Sequence, residues 1–184
     1  MAVYISLLRG INVAAQKSIK MTDLKALYED LGLSKVKTYI QSGNVIFTSD
    51  ETAAVLQPKI REAIKEKFGF SVELMVCSIP DWRRLIAANP FTKDGDRDRK
   101  YMHLTLLDKI PDAKIIDGLG EVKTGEAEEY AIVDDAVYFY APAGYGITKL
   151  SNNFWEKKLK VNATTRNWNT VNKLLEMAEA LESN

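Results

Sequence analysis

The chain has 184 residues, 46% hydrophobic and 27% charged, enough apolar surface for one large core or two smaller ones and too much for a disordered or collagen-like polypeptide. Lys+Arg and Asp+Glu number 25 each, so no net field draws the protein to nucleic acid or to an anionic membrane, and any polyanion site must be built locally. One cysteine, Cys77, and one histidine, His103, exclude an internal disulfide and a Cys/His structural zinc site, and the single thiol agrees with a reducing compartment.

The first run, Val3 to Leu8, sets Val3, Ile5 and Leu7 against Tyr4, Ser6 and Leu8 in period two and predicts a strand. It is too short to span a membrane and lacks the basic and small-residue flanks of a signal peptide, so the expected location is the cytoplasm. After a polar loop, Thr22 is the expected cap of a helix carrying Leu24, Leu27, Tyr28 and Leu31 on one face, with Gly32 ending it. V-K-T-Y-I-Q-S-G-N-V-I-F-T then reads as a hairpin turning at Gln41 to Asn44. A helix over Thr52 to Phe68 and the strand S-V-E-L-M-V-C complete the order βαββαβ, which predicts a ferredoxin-like half with both helices on one face of an antiparallel sheet.

A short helix, Pro80 to Ala88, leads into the charged run N-P-F-T-K-D-G-D-R-D-R-K, which reads as a solvated connector. The order then repeats. Tyr101 to Leu107 is an alternating strand, Pro111 to Leu119 a short helix, and A-I-V-D-D-A-V-Y-F-Y a hairpin turning at Asp134 and Asp135. A helix from about Thr148 to Lys158, an extended piece from Lys160 to Ala163 and a last helix follow. The fold expectation is therefore α+β: two tandem ferredoxin-like halves with antiparallel sheets plus a C-terminal helix, divided as residues 1–90, a connector at 91–100, and residues 101–184. D-G-D-R-D is not a calcium loop, because the glycine is misplaced and Thr105 stands where the twelfth-position glutamate belongs.

The blocks L-L-R-G-I-N-V, T-Y-I-Q-S-G-N-V-I-F, N-P-F, Y-G-I-T-K-L and T-T-R-N-W-N-T together resemble the bacterial family called domain of unknown function 1697. The resemblance implies a cytosolic protein of two related α+β halves with no established activity. Where relatives commonly read Gly-Gly after I-N-V, this chain has Ala14-Ala15, which weakens any role there that needs a glycine's close backbone approach.

Candidate site residues come from polar loops that run into helices. In T-T-R-N-W-N-T, Thr164 or Thr165 is the expected cap of the last helix, Trp168 its first apolar anchor, and Arg166 with Asn169 a cradle for an anion at the helix start. The plainer alternative is a threonine cap with Arg166 paired to a surface acid. The loop after the first strand offers Arg9, Asn12, Lys17 and Lys20, and P-A-G-Y-G-I-T-K-L offers Lys149 behind two glycines, without the spacing of a phosphate loop or a dinucleotide fingerprint. Gln41 and Asn44 at the hairpin tip could read a ligand or simply make the turn. His103 is the one candidate for imidazole acid-base work, against the alternative of a satisfied structural histidine. No cofactor and no metal is assigned. The leading expectation is a small anionic ligand, such as a phosphate ester, held near Arg166, Lys149 and the Arg9 to Lys20 loop. The alternatives are single-stranded RNA stacking on Tyr138 and Tyr140, or a protein-interaction module pairing through a sheet edge.

Overall fold

Period-two alternation makes Ala2–Leu8 the strand β1, which pairs antiparallel on one side with β3 (Asn44–Ser49) and on the other with β4 (Leu74–Ser78). β2 (Ser34–Tyr39) closes one edge, giving a four-stranded antiparallel sheet in the order β2-β3-β1-β4. The structure, a computed structural model, describes every residue except Ala15, Asp94, Asp96 and Asn184. Two of the three aspartates of the charged D-G-D-R-D run thus lie outside the described residues, as does the second alanine after I-N-V.

Helices α1 (Met21–Asp30) and α2 (Ala53–Phe68) cover the face that carries Tyr4, Leu8, Val45, Phe47 and Leu74 with Leu24, Leu27, Tyr28, Leu56, Ile60 and Ile64. Ser6 is the polar member of that face, and its hydroxyl shares a 2.8 Å hydrogen bond with the buried Tyr28 phenol. The opposite face is buried as well: Val3, Ile5, Leu7, Ile46 and Cys77 are all shielded from solvent. α1 begins one residue before the expected Thr22. Lys20 is the cap residue, with extended φ and ψ and no side-chain cap, while its carbonyl accepts from the amides of Asp23 and Leu24.

α3 (Ile79–Ala87) follows β4, and Asn89, two residues beyond its end, caps a 3-10 turn at Pro90–Thr92. The second sheet is built the same way from β5 (Met102–Leu107), β6 (Glu129–Val133), β7 (Ala136–Tyr140) and β8 (Ala163–Asn167), in the order β6-β7-β5-β8. α4 (Ala113–Asp117) and α5 (Asn152–Leu159) lie between its strands in sequence, and α6 (Trp168–Glu182) follows β8 directly. A core of Leu107, Val137, Phe139, Leu150, Trp155, Leu159 and Ala163 joins this sheet to α5.

Contacts divide the chain into two units, residues 1–84 together with 173–184, and residues 85–172. The division falls inside α3 and α6, whereas the sequence reading places it in the connector. In the first unit, Arg83 binds Glu179 and Glu182 at 2.9 and 2.8 Å, tying α3 to the last turns of α6. In the second, the Tyr138 hydroxyl donates to the Leu85 carbonyl at 2.6 Å, so the end of α3 lies against the sheet face opposite α5.

One expectation is corrected. Thr164 and Thr165 do not cap the last helix; with Arg166 and Asn167 they extend β8, paired to Leu106, Thr105, Leu104 and His103 of β5. Two successive β-branched residues suit a pleated strand, and the open edge of β5 supplies the hydrogen bonds that a helix start would leave unmade. The cap is Asn167, whose side-chain oxygen accepts from the Asn169 amide at 2.9 Å.

Candidate functional site

In the first unit, the loop after β1 and the turn between β2 and β3 are built as one piece. Asn12 takes left-handed φ (56°), donates to the carbonyls of Ile19 and Gln41 at 2.9 and 2.8 Å, and accepts from the Ile19 amide at 2.8 Å. Gly43, at φ 83°, accepts the Leu8 amide hydrogen at its carbonyl, and a Cβ there would stand 2.8 Å from both Ile11 Cδ1 and Leu8 Cβ. Only glycine satisfies both the φ and the close approach. Asn44 is buried and donates to the Tyr39 carbonyl and the Ser42 hydroxyl. Asn12 and Asn44 are thus structural staples, and Gln41 contributes its carbonyl to the same assembly.

Arg9 and Lys17 of this loop meet at a concavity of about 340 Å³, lined also by Gly10, Gln16 and Glu73. Its charge is mixed, because Glu73 faces it while pairing with Arg61 at 3.4 Å, and the Lys17 ammonium donates to the Ser71 carbonyl at 2.8 Å. Lys20, at the entry of α1, is exposed and lies outside this lining.

The second unit holds a concavity of about 390 Å³ lined by Lys100, Tyr101, His103, Gly144, Tyr145, Thr165 and Asn167. Strand register builds its floor. His103 pairs with Phe139 on one side and Asn167 on the other, and Thr105 pairs with Thr165, so these side chains share one face of the sheet. The ring of Tyr145, from the loop between β7 and α5, lies 5.1 Å from His103 and 6.2 Å from Phe139, near-parallel to both at 28°. His103 and Phe139 are themselves 4.9 Å apart at 11°. The Thr105 hydroxyl donates to Thr165 at 2.7 Å, because the Thr165 hydroxyl is committed to Asn152 Oδ1 at 2.6 Å.

His103 is buried, and desolvation lowers its pKa to about 4, opposed by a 3.1 Å hydrogen bond with the Tyr101 carbonyl. A carbonyl can only accept, so the proton of the neutral ring sits on Nδ1 and Nε2 carries a lone pair. Nε2 has no hydrogen-bond partner among the described residues. Arg166 is also buried, but it pairs with Leu104, alternates to the other face of the sheet, and is not among the residues lining the cavity. Desolvation pulls its pKa down to about 10, partly offset by attraction to the Tyr145 phenol, so it stays charged at neutral pH. Its Nη1 donates to the Thr165 carbonyl at 2.9 Å. The Lys100 ammonium is exposed, 3.0 Å from Asp98 and 4.7 Å from the Tyr101 ring centre.

The residues singled out in the sequence therefore sort by unit. Arg9, Asn12, Lys17, Lys20, Gln41 and Asn44 belong to the first; His103, Lys149, Arg166 and Asn169 belong to the second. Within the second, Lys149 and Asn169 are exposed and outside the cavity lining. Lys100, Tyr145 and Asn167 escape a sequence reading. The Asn-Trp step opening an apolar periodic run is a legible cap signal, but the stacking of a loop tyrosine on a strand histidine has no local signature. Tyr138 is fully buried and cannot stack with a base; Tyr140 is half-buried, with the Arg97 guanidinium 5.9 Å from its ring centre.

Among the described residues no group of acidic, cysteine or histidine side chains could hold a metal ion, and no helix is long and apolar enough to cross a membrane. No curated protein matches the chain. A solved structure that does is described as that of a conserved bacterial protein, SP0830, from Streptococcus pneumoniae. It is 22% identical, has a TM-score of 0.75 and covers 96% of this chain and 98% of its own. At that identity the likeness establishes the fold. The family model described as protein of unknown function (DUF1697) matches residues 1–138, and the chain belongs to that family.

Proposed function

We propose that the protein binds a small anionic ligand in the second-unit cavity, where β8 enters α6. The observation that carries this reading is the meeting of Y-G-I-T-K-L and T-T-R-N-W-N-T, distant in sequence, over one histidine. Tyr145 lies over His103, Thr165 and Asn167 share the lining, and Lys100 stands at the rim. Among the described residues no carboxylate lines this cavity, unlike the Arg9 and Lys17 concavity, which includes Glu73.

The same reading takes each sheet with its helices as a ferredoxin-like split βαβ unit and the chain as a tandem duplication. The strand orders support it, since β4-β1-β3-β2 and β8-β5-β7-β6 correspond position by position. The single cysteine, Cys77, is buried and has no second cysteine with which to form an internal disulfide, which supports a cytoplasmic setting. Such sheets also serve single-stranded RNA, but burial of Tyr138 leaves only part of the expected stacking surface, so the small ligand is favoured.

The test is a thermal-shift screen of the full chain against phosphate esters, nucleotides and carboxylates. Ligand at 100 times its Kd is expected to add about 2.7 kcal/mol of apparent stability. The shift should shrink in Lys100→Ala and persist in Lys149→Ala, which lies outside the lining. A flat response to every anion would end the proposal.

A further inference from the structure

β2 and β4 are the edge strands of the first sheet, β6 and β8 those of the second, and an edge strand offers unpaired N–H and C=O groups to any chain that can lie beside it. Three of these edges are blunted by the protein's own residues. β2 breaks register between Ser34 and Lys37, with Lys35 at left-handed φ (51°), and both lysines are exposed on it. β4 gives the Val76 amide to the Gln57 side chain at 3.2 Å. In β8 the Ala163 amide donates to the Glu156 carboxylate at 3.0 Å, and the Thr165 carbonyl accepts from Arg166 at 2.9 Å.

β6 has none of these devices. It pairs with β7 in unbroken register from Glu129 opposite Tyr140 to Val133 opposite Ala136, without a lysine, a proline or a bulge. The two-residue turn at Asp134 and Asp135 makes Val133 and Ala136 a mutually hydrogen-bonded pair, and strict alternation then turns the backbone of Tyr130 and Ile132 away from β7. No hydrogen bond of the described protein uses those outward amides and carbonyls. The side chains of Tyr130 and Ile132 are half-buried against the core that contains Trp155, so an added strand would extend an apolar face as well as a ladder.

Charge selects the occupant. Glu126 and Glu129 are exposed at the start of β6 and Asp134 at its end. A second copy laid antiparallel, with Tyr130 of each strand opposite Ile132 of the other, would set Glu128 of each against Asp134 of the other, acid facing acid at both ends. We propose that the outer edge of β6 takes an extended segment of another protein, apolar at alternate positions and basic at both ends, as a fifth strand of the second sheet. This interaction is separate from the anion cavity and does not depend on it.

The experiment is fluorescence anisotropy of labelled nine-residue peptides titrated with the full chain. Each peptide has two lysines at either end and a centre that alternates threonine with valine, isoleucine or phenylalanine. At least one should bind, and N-methylation of its central amides, which keeps every side chain and charge, should weaken it at least about tenfold. Replacing its lysines by glutamates should also weaken it at least about tenfold at low salt. Ile132→Pro removes an outward amide hydrogen and leaves the pairing with β7 in place, so it should weaken the peptide about tenfold, while Ile132→Val should not. Thermal melting checks that both variants are folded, and the N-methyl comparison on the unmodified protein stands even if one is not. Equal binding of the N-methylated and parent peptides would overturn strand addition and leave a contact of charge alone. A dimer of the chain in sedimentation that Ile132→Pro dissolves would give this edge to a second copy and overturn the partner assigned to it, and absence of binding by every peptide would overturn the proposal.

Discussion

At the scale of single residues, the side chains that look most like ligand groups in the sequence divide by how completely the fold uses them. Asn12 and Asn44 have short polar side chains that tolerate left-handed or turn backbone, and the protein uses those same properties to pin a loop and a hairpin. Arg166 and His103 are buried polar groups instead, and burial makes them energetically expensive. His103 gives a direct test. Its pKa is lowered from 6.5 to about 4 in the folded protein, so between those values the unfolded chain binds a proton that the folded one refuses. The stability it contributes is full above about pH 6.5 and falls as pH drops toward 4, where the loss reaches about 3 kcal/mol and levels off. Urea denaturation of wild type and His103→Phe across this range should show the wild type alone carrying that slope. Parallel curves for the two proteins would mean that the imidazole is not held neutral.

At the scale of elements, the strands and helices whose apolar spacing is unambiguous are legible in the sequence: β1, the hairpin of β2 and β3, α2 with its left-handed Gly69 cap, and the hairpin turning at Asp134, φ 50°. Element ends are not, because a terminus is decided by which hydrogen-bond partner lies nearby in space. Thr164 and Thr165 satisfy the local rules for capping and for strand equally, and only the presence of β5 alongside settles them as strand. The candidate site is less legible for the same reason. Tyr145, His103 and Thr165 are 20 or more positions apart in the chain, and their meeting depends on the register of β5 with β7 and β8. The junction of β8 and α6 depends on Asn167, which caps the helix with one side-chain atom and holds the Lys100 carbonyl with the other. Asn167→Ala should cost about 1 to 2 kcal/mol in a denaturant titration, and Asn167→Ser should recover the larger part, because a serine hydroxyl caps but does not reach Lys100. An alanine variant as stable as wild type would place the stop signal of β8 elsewhere.

At the scale of the whole molecule, each unit has its own sheet and its own apolar core, yet the first unit is not contiguous in sequence, since residues 173–184 belong to it. Leu174, Ala178 and Leu181 are buried, and Glu179 and Glu182 are the acids that hold Arg83. Val3 and Thr48 line a shallow hollow with Leu181 and Glu182, so the last turns of α6 lie beside β1 and β3. Ending the chain after Asn172 would take Leu174, Ala178 and Leu181 out of the first unit and uncover Val3 and the other apolar neighbours of those side chains. Each large aliphatic side chain so exposed removes about 1.5 to 3 kcal/mol of burial, enough in sum to match the whole stability of a small domain. Hydrogen exchange read by mass spectrometry should then show the β1 peptides losing protection, while peptides from β5, whose Leu107 belongs to a core lying within residues 85–172, retain theirs. Uniform loss in both would mean that the units fold as one cooperative body, and unchanged protection in β1 would mean that the end of α6 adds nothing to the first core.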